Sequence, residues 1–183
     1  MDLAAYRQDV LREFRRTREL ADKAMAQVSD GDFFAAPDPQ ANSIAIVVKH
    51  VAGNLRSRWT DFLTTDGEKP DRNRDGEFAI GPEDGREALM KRWDRGWAIL
   101  FATLEGLRDV DLDATVVIRG EPHTVVQAIH RQLTHYAYHA GQIVLLARQF
   151  AGDSWKTLSV PRGGSAAFNQ RPTTYLDGPP PGR

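Results

Sequence analysis

Residues 127–150 read QAIHRQLTHYAYHAGQIVLLARQF, and this stretch decides the fold. It contains no proline, and Ala128, Leu133, Ala137, Ile143, Leu146 and Ala147 keep helical register, so a helix is predicted from near Thr124 to about Phe150, with Gly152 as its stop. His135 and His139 lie four residues apart within it and leave the same face one turn apart, where two ring nitrogens can converge on one ion. His130 points about 140° away from His135 by the ~100° step of a helix wheel, toward a different neighbour.

Three further helices are predicted upstream. Tyr6, Val10, Phe14, Thr17, Leu20, Ala21, Ala24 and Val28 recur at helical spacing over residues 2–29. Gly31, Pro37 and Pro39 then break the pattern, Asn42 or Ser43 suits an N-cap, and a second helix runs from Ser43 to about Leu63. Its first half, SIAIVVKHVAGNL, is apolar nearly all round and therefore central, with His50 in its middle. The third helix is expected from Pro82 or Glu83 to about Leu107, on a stripe of Leu89, Trp93, Trp97, Leu100, Phe101 and Leu104, with Gly96 as a weak point.

Between helices two and three lies TTDGEKPDRNRDGEFAIGPEDG, longer than most connections inside a compact domain and of the length that a lid or crossover needs. Ahead of the last helix, ATVVIRGEPHTV places β-branched residues around Gly120-Glu121-Pro122, which predicts a short β-hairpin carrying His123 near its turn. After Trp155 periodicity fades and the chain ends in PPPGR. The expectation is one helical domain over residues 1–155 and a tail over 156–183 that packs at first and then frays.

Composition narrows the function classes. In 183 residues, 41% hydrophobic and 27% charged, one domain with a full core is expected. Lys+Arg 24 against Asp+Glu 25 leaves a formal net charge of −1, with no global positive field to hold nucleic acid. The N-terminus is charged throughout and no run of about 18 apolar residues occurs, so a cytoplasmic protein with no membrane partner is expected. Cysteine is absent, so any metal must sit on imidazole, carboxylate or water.

Two histidines make a weak chelate, and a nitrogen and oxygen site normally takes three protein ligands. His50 is the natural third, because an unpaired imidazole among Val47, Val48, Val51 and Leu55 would bear a desolvation penalty of roughly 1–3 kcal/mol. Spacing alone also allows a hydrogen-bonded histidine pair without metal. Around these ligands, Asn54 and Arg58 follow His50 by one and two turns, and Arg58 suits a substrate carboxylate or phosphate, or else an ion pair with Asp61 or Glu68. Gln142 suits the orienting of a ligand histidine. Tyr136 and Tyr138 flank the ligand face, where Tyr138 could donate to a bound oxyanion. Arg162, beside two glycines, could close the tail over a cavity. Trp59, Trp93, Trp97 and Trp155 read as core or interface aromatics.

The histidine within NSIAIVVKHVAGNLRSRWTDFL, the later RQLTHYAYHAGQIVLLARQ and the order of four helices resemble the DinB-like superfamily, a group associated with metalloenzymes, close to its YfiT-like branch. The tail's LSVPRGGSAAFN is similar to one of its uncharacterised subfamilies. The resemblance implies an all-α four-helix bundle of up-down-down-up topology in which His50, His135 and His139 bind a divalent metal facing a cavity. It also implies a homodimer. Relatives include transferases that use a low-molecular-weight thiol, so the leading expectation is a metal-dependent S-transferase or hydrolase acting on a small-molecule substrate. Zinc or nickel suits such ligands, with iron or manganese as alternatives. The competing expectation is a non-catalytic, metal-stabilised bundle serving as a ligand-binding or stress-response protein. No carboxylate stands at an obvious general-base position.

Overall fold

The four stretches of helical periodicity become the four long helices of the chain: α1 (Leu3–Met25), α3 (Ile44–Trp59), α4 (Arg86–Gly106) and α5 (Val125–Ala151). The computed structural model describes residues 2–170 and is mostly helical. Two short helices, α2 (Asp30–Phe34) and α6 (Ser165–Gln170), one antiparallel pair, β1 (Thr115–Ile118) with β2 (Glu121–Thr124), and 3-10 turns at Asp75–Phe78, Asp109–Asp111 and Gly152–Ser154 complete the regular structure of the described residues. α3 packs chiefly against α4, and α1 against α5, with α3 also meeting α5.

The helix ends differ from the sequence reading where a local hydrogen bond outcompetes helical continuation. α1 stops at Met25 rather than near 29, because Ser29 and Asp32 form a capping box that starts α2. α3 begins as expected on a Ser43 cap, whose hydroxyl accepts from Ile46 N at 3.2 Å. It ends at Trp59 rather than Leu63, since Thr60 is extended and Asp61 takes φ 48°. α4 starts at Arg86 rather than at Pro82. The Asp84 carboxylate accepts from Gly81 N at 2.8 Å and from Lys49 Nζ at 2.6 Å, so the chain first closes a turn there. α5 opens on a Thr124–Gln127 capping box and stops at Gly152, whose φ of 52° favours glycine.

The hairpin is present, but its turn lies one residue earlier than expected. Arg119 and Gly120 take φ 57° and 76°, while Glu121 and Pro122 pair with Ile118 and Val117 in the register of the sheet. The hairpin also grips the long connection between α3 and α4. Gly67 N donates to Val117 O at 2.8 Å, and the Asp66 carboxylate accepts from the backbone of Arg119 and Gly120, each at 2.8 Å.

At the centre, Phe14, Trp59, Trp93, Trp97 and Tyr136 are almost fully buried and meet edge to face, with Phe14 and Trp59 centroids 5.9 Å apart and Trp93 and Trp97 centroids 5.5 Å apart. Trp155 is only partly buried at the margin. Gly96 is a contact point: a methyl group there would come within 2.9 Å of Leu55 Cβ, so its small size sets how closely α4 approaches α3. Among the described residues no helix is long and apolar enough to cross a membrane. The expected fraying of the tail falls largely on residues 171–183, outside the described residues; within them, residues 165–170 form α6, where little periodicity was expected.

Candidate metal centre

α3 carries His50 inward from the middle of an apolar helix, and α5 carries His135 and His139 toward it one turn apart. Their ligating nitrogens all lie within 4.8 Å of one another, so the three residues could hold a metal ion. His135 Nε2 is 3.4 Å from His50 Nε2 and 3.1 Å from His139 Nε2.

With the rings neutral, as a metal site requires, the outer nitrogens set the tautomers of this cluster. His50 Nδ1 is 2.8 Å from Glu77 Oε2, and a carboxylate accepts, so His50 carries its proton on Nδ1 and turns a lone pair inward at Nε2. His139 Nδ1 is 2.7 Å from Gln142 Oε1, while the Gln142 amide nitrogen donates to the Tyr138 hydroxyl at 3.1 Å, which fixes the amide as acceptor toward His139. His139 therefore also turns a lone pair inward. His135 sits between them with at most one proton at Nε2 and can satisfy one of the two neighbours; its own Nδ1 is buried without a hydrogen-bond partner. A divalent cation held by His50, His135 and His139 would relieve the lone-pair repulsion among them, so the donor set fits such a metal.

For the two histidines of α5 the electrostatics agree with neutral imidazoles. Burial lowers His135 to about 3, helped by the neighbouring His139 and His50. Burial also lowers His139, against the opposing bond to Gln142. Glu77 is buried, which by itself would raise its carboxyl, but hydrogen bonds from His50 and Arg72 outweigh that and hold it below the ordinary carboxylate range. Arg72 grips Glu77 with two bonds of 2.8 Å each, from Nε and Nη2.

Glu77 was not anticipated from sequence. It lies in a 3-10 turn, Asp75–Phe78, in the middle of the Gly- and Asp-rich connection. The signal that points to it is His50 itself, since a buried ligand histidine needs an acceptor for its second nitrogen. Gly53, one turn beyond His50, makes room for it: a methyl group at Gly53 would collide with the Glu77 carboxylate.

The other sequence-derived residues divide into two groups. Asn54, Arg58 and Tyr138 line a cleft of about 390 Å³ together with His50 and His135. Asn54 Oδ1 accepts from the Tyr136 hydroxyl at 2.9 Å, and that hydroxyl accepts from Trp59 Nε1 at 3.1 Å. Tyr136 is thus a buried structural link, its hydroxyl pushed upward by burial, and does not flank the open ligand face. Arg58 is buried, bonding to Gly67 O and to Glu68 Oε2 at 2.9 Å. Gln142 orients His139 as described. Arg162 lies elsewhere, in a cleft with Arg148, Gly152 and Trp155 that includes none of the three histidines. His123 bonds to Arg131 at 2.9 Å and His130 to the Tyr6 hydroxyl at 3.2 Å, so neither joins the cluster. A larger cleft of about 750 Å³ between α3 and α4 touches Glu77 but none of the histidines.

Comparison with known proteins places the fold. A conserved protein of Enterococcus faecalis, known from a crystal structure, is similar over 80% of this chain and 97% of its own, with a TM-score of 0.58 at 18% sequence identity, a likeness of fold alone. No curated protein matches. The model of a family described as a protein of unknown function (DUF1572) matches residues 3–164, and the chain therefore belongs to the DUF1572 family.

Proposed function

We propose that the protein is a metal-dependent enzyme of the DinB-like type, with His50, His135 and His139 holding one divalent ion, zinc or nickel in preference to iron or manganese. The observation that carries this reading is the convergence of three Nε2 atoms, two of which are fixed as lone-pair donors by Glu77 and Gln142. Bound there, such an ion supplies Lewis acidity that makes a thiol or water nucleophilic at neutral pH.

The chain's own residues do the positioning. Glu77, clamped by Arg72, holds the His50 ring by its Nδ1 proton; with its pKa low and its oxygens occupied, it orients a ligand and is no proton acceptor for substrate. Gln142 sets the His139 ring in the same way, tied in turn to Tyr138. Asn54 and Tyr138 line the approach to the histidines, where a small-molecule substrate, including a low-molecular-weight thiol, would enter. The open cleft supports catalysis over a sealed, purely stabilising site.

In this reading α1, α3, α4 and α5 form an up-down-down-up bundle, a topology supported by the long connection between α3 and α4, over residues 60–85. Residues 1–155 are the domain and 156–183 an appended tail, whose start is tied down by paired bonds between Gln27 and the Lys156 backbone. The protein acts as a cytoplasmic homodimer, without nucleic-acid or membrane partners, and Arg162 belongs to the tail's own cleft.

Elemental mass spectrometry of the purified full chain tests the proposal, beside a variant with His50, His135 and His139 all changed to alanine. Near-stoichiometric metal that vanishes in the variant is expected, followed by a screen for thiol transfer and hydrolysis. Absence of metal in the unaltered chain, even after reloading with zinc or nickel, overturns it.

A further inference from the structure

The cleft beside His50 and His135 has an unusual lining for a chain whose charges nearly cancel. Five arginines line it, Arg58, Arg72, Arg74, Arg119 and Arg131, and among the described residues no carboxylate does. Behind them the negative charge is scarce: Arg58, Arg72 and Arg119 share the single Glu68, Glu77 serves Arg72 and His50, and Arg131 has only Glu121 at 3.7 Å. Arg74 rests on the Phe78 ring at 5.5 Å and forms no ion pair among the described residues. Five guanidinium groups thus stand against three ion-paired carboxylates and Asp66, which is bound to the Arg119 backbone and feels the charge of Arg58.

A second observation is independent of charge. Two side chains of the lining, Arg58 and Gln132, are each 4% exposed, and each holds a buried polar atom without a partner, Nε of Arg58 and Oε1 of Gln132. Native interiors leave few such atoms, and here both belong to side chains that line one cleft, each unpaired atom lying enclosed behind its wall.

We propose that this cleft is an oxyanion subsite: it takes a small molecule bearing a carboxylate or phosphate group. Guanidinium forks match both oxyanions in geometry, and a volume of about 390 Å³ suits a metabolite-sized ligand. The part of this inference that places the reacting end of that molecule against the histidines rests on the metal reading above. The anion subsite itself stands without metal.

The test is calorimetric titration of the full chain, metal-free and zinc-loaded, with inorganic phosphate, with succinate and with uncharged succinamide. Phosphate or succinate is expected to bind in both forms at least about tenfold tighter than succinamide, and whichever binds more tightly identifies the class. The double variant R74Q/R131Q changes two residues without helix-core roles and is expected to weaken that binding by about tenfold. The charge-matched R56Q/R95Q, which alters the larger cleft instead, is expected to stay within about twofold. Binding no tighter than succinamide, or equal weakening by the two double variants, overturns the proposal. Anion binding in a chain that takes up no zinc supports the subsite while removing the metal reading.

Discussion

Glu77 Oε2 lies 2.8 Å from His50 Nδ1, across 27 residues of chain, and both side chains are buried. That contact sets the direction of the His50 lone pair. Glu77→Gln keeps an oxygen that can accept but removes the charge that holds both the imidazole and Arg72. Metal affinity is expected to fall about 10–100-fold, measured by chelator competition. Stability of the metal-free chain is expected to fall by about 1–3 kcal/mol, since the buried Arg72 keeps only its longer contact to Glu68, at 3.3 Å. An unchanged affinity would separate Glu77 from ligand positioning.

Gly53→Ala places a methyl group on the Glu77 carboxylate. Alanine is otherwise the better helix residue by about 0.8–1 kcal/mol, so a simple propensity effect would stabilise α3. The expected outcome is the reverse, a lower melting temperature together with weaker metal binding. A stabilised variant with full metal content would show that the connection yields at no cost.

The pH dependence follows from His135, held at about 3 in the folded chain chiefly by burial. Its unfolded value is about 6.5, so between those limits the unfolded chain binds more protons and stability falls as pH falls. The metal-free protein is expected to lose melting temperature from pH 6.5 to 5, above the range of most carboxylates, and His135→Ala is expected to flatten that slope. Parallel curves for the two proteins would assign the loss to other groups.

Tyr136→Phe removes the hydroxyl that joins Asn54 to Trp59. The indole N–H and the Asn54 carbonyl are then buried without that partner, and about 1–3 kcal/mol of stability is expected to be lost in a denaturant titration. Metal content is expected to remain, since Tyr136 touches His135 only ring to ring, at 5.4 Å between centroids.

The parts of this architecture that were legible in the sequence are those written in periodicity. The register of residues 127–150 placed His135 and His139 on one face, and the apolar run around His50 made it a buried residue in need of a partner. The hairpin and the glycine stop at Gly152 followed from turn chemistry. What was hidden depends on contacts distant in sequence. Asp84 turns α4 back to Arg86 by binding Lys49 from another helix, and Arg58 is buried because residues 67 and 68 fold over it. Glu77 sits between Gly76 and Phe78 in a segment with no period, and nothing local marks it over Glu68 or Asp75 as a partner for His50. Tyr136 lies three positions before His139 on α5, so helical spacing alone put it beside the cluster, and its burial away from the open cleft is set by Trp59 and Phe14.

The hairpin's hold on the long connection has a kinetic consequence. Asp66 reaches Arg119 and Gly120 across more than 50 residues, 53 and 54, and His50 reaches His135 across 85. Closing such spans carries an entropic penalty that is recovered only once the helices have docked. The arginine-lined cleft and the connection that closes it are thus expected to form only after the helices have docked. In native-state hydrogen exchange, the amides of residues 66–78 are expected to open at lower free energy than those of α3 and α5, so the centre can come apart locally while its helical frame persists.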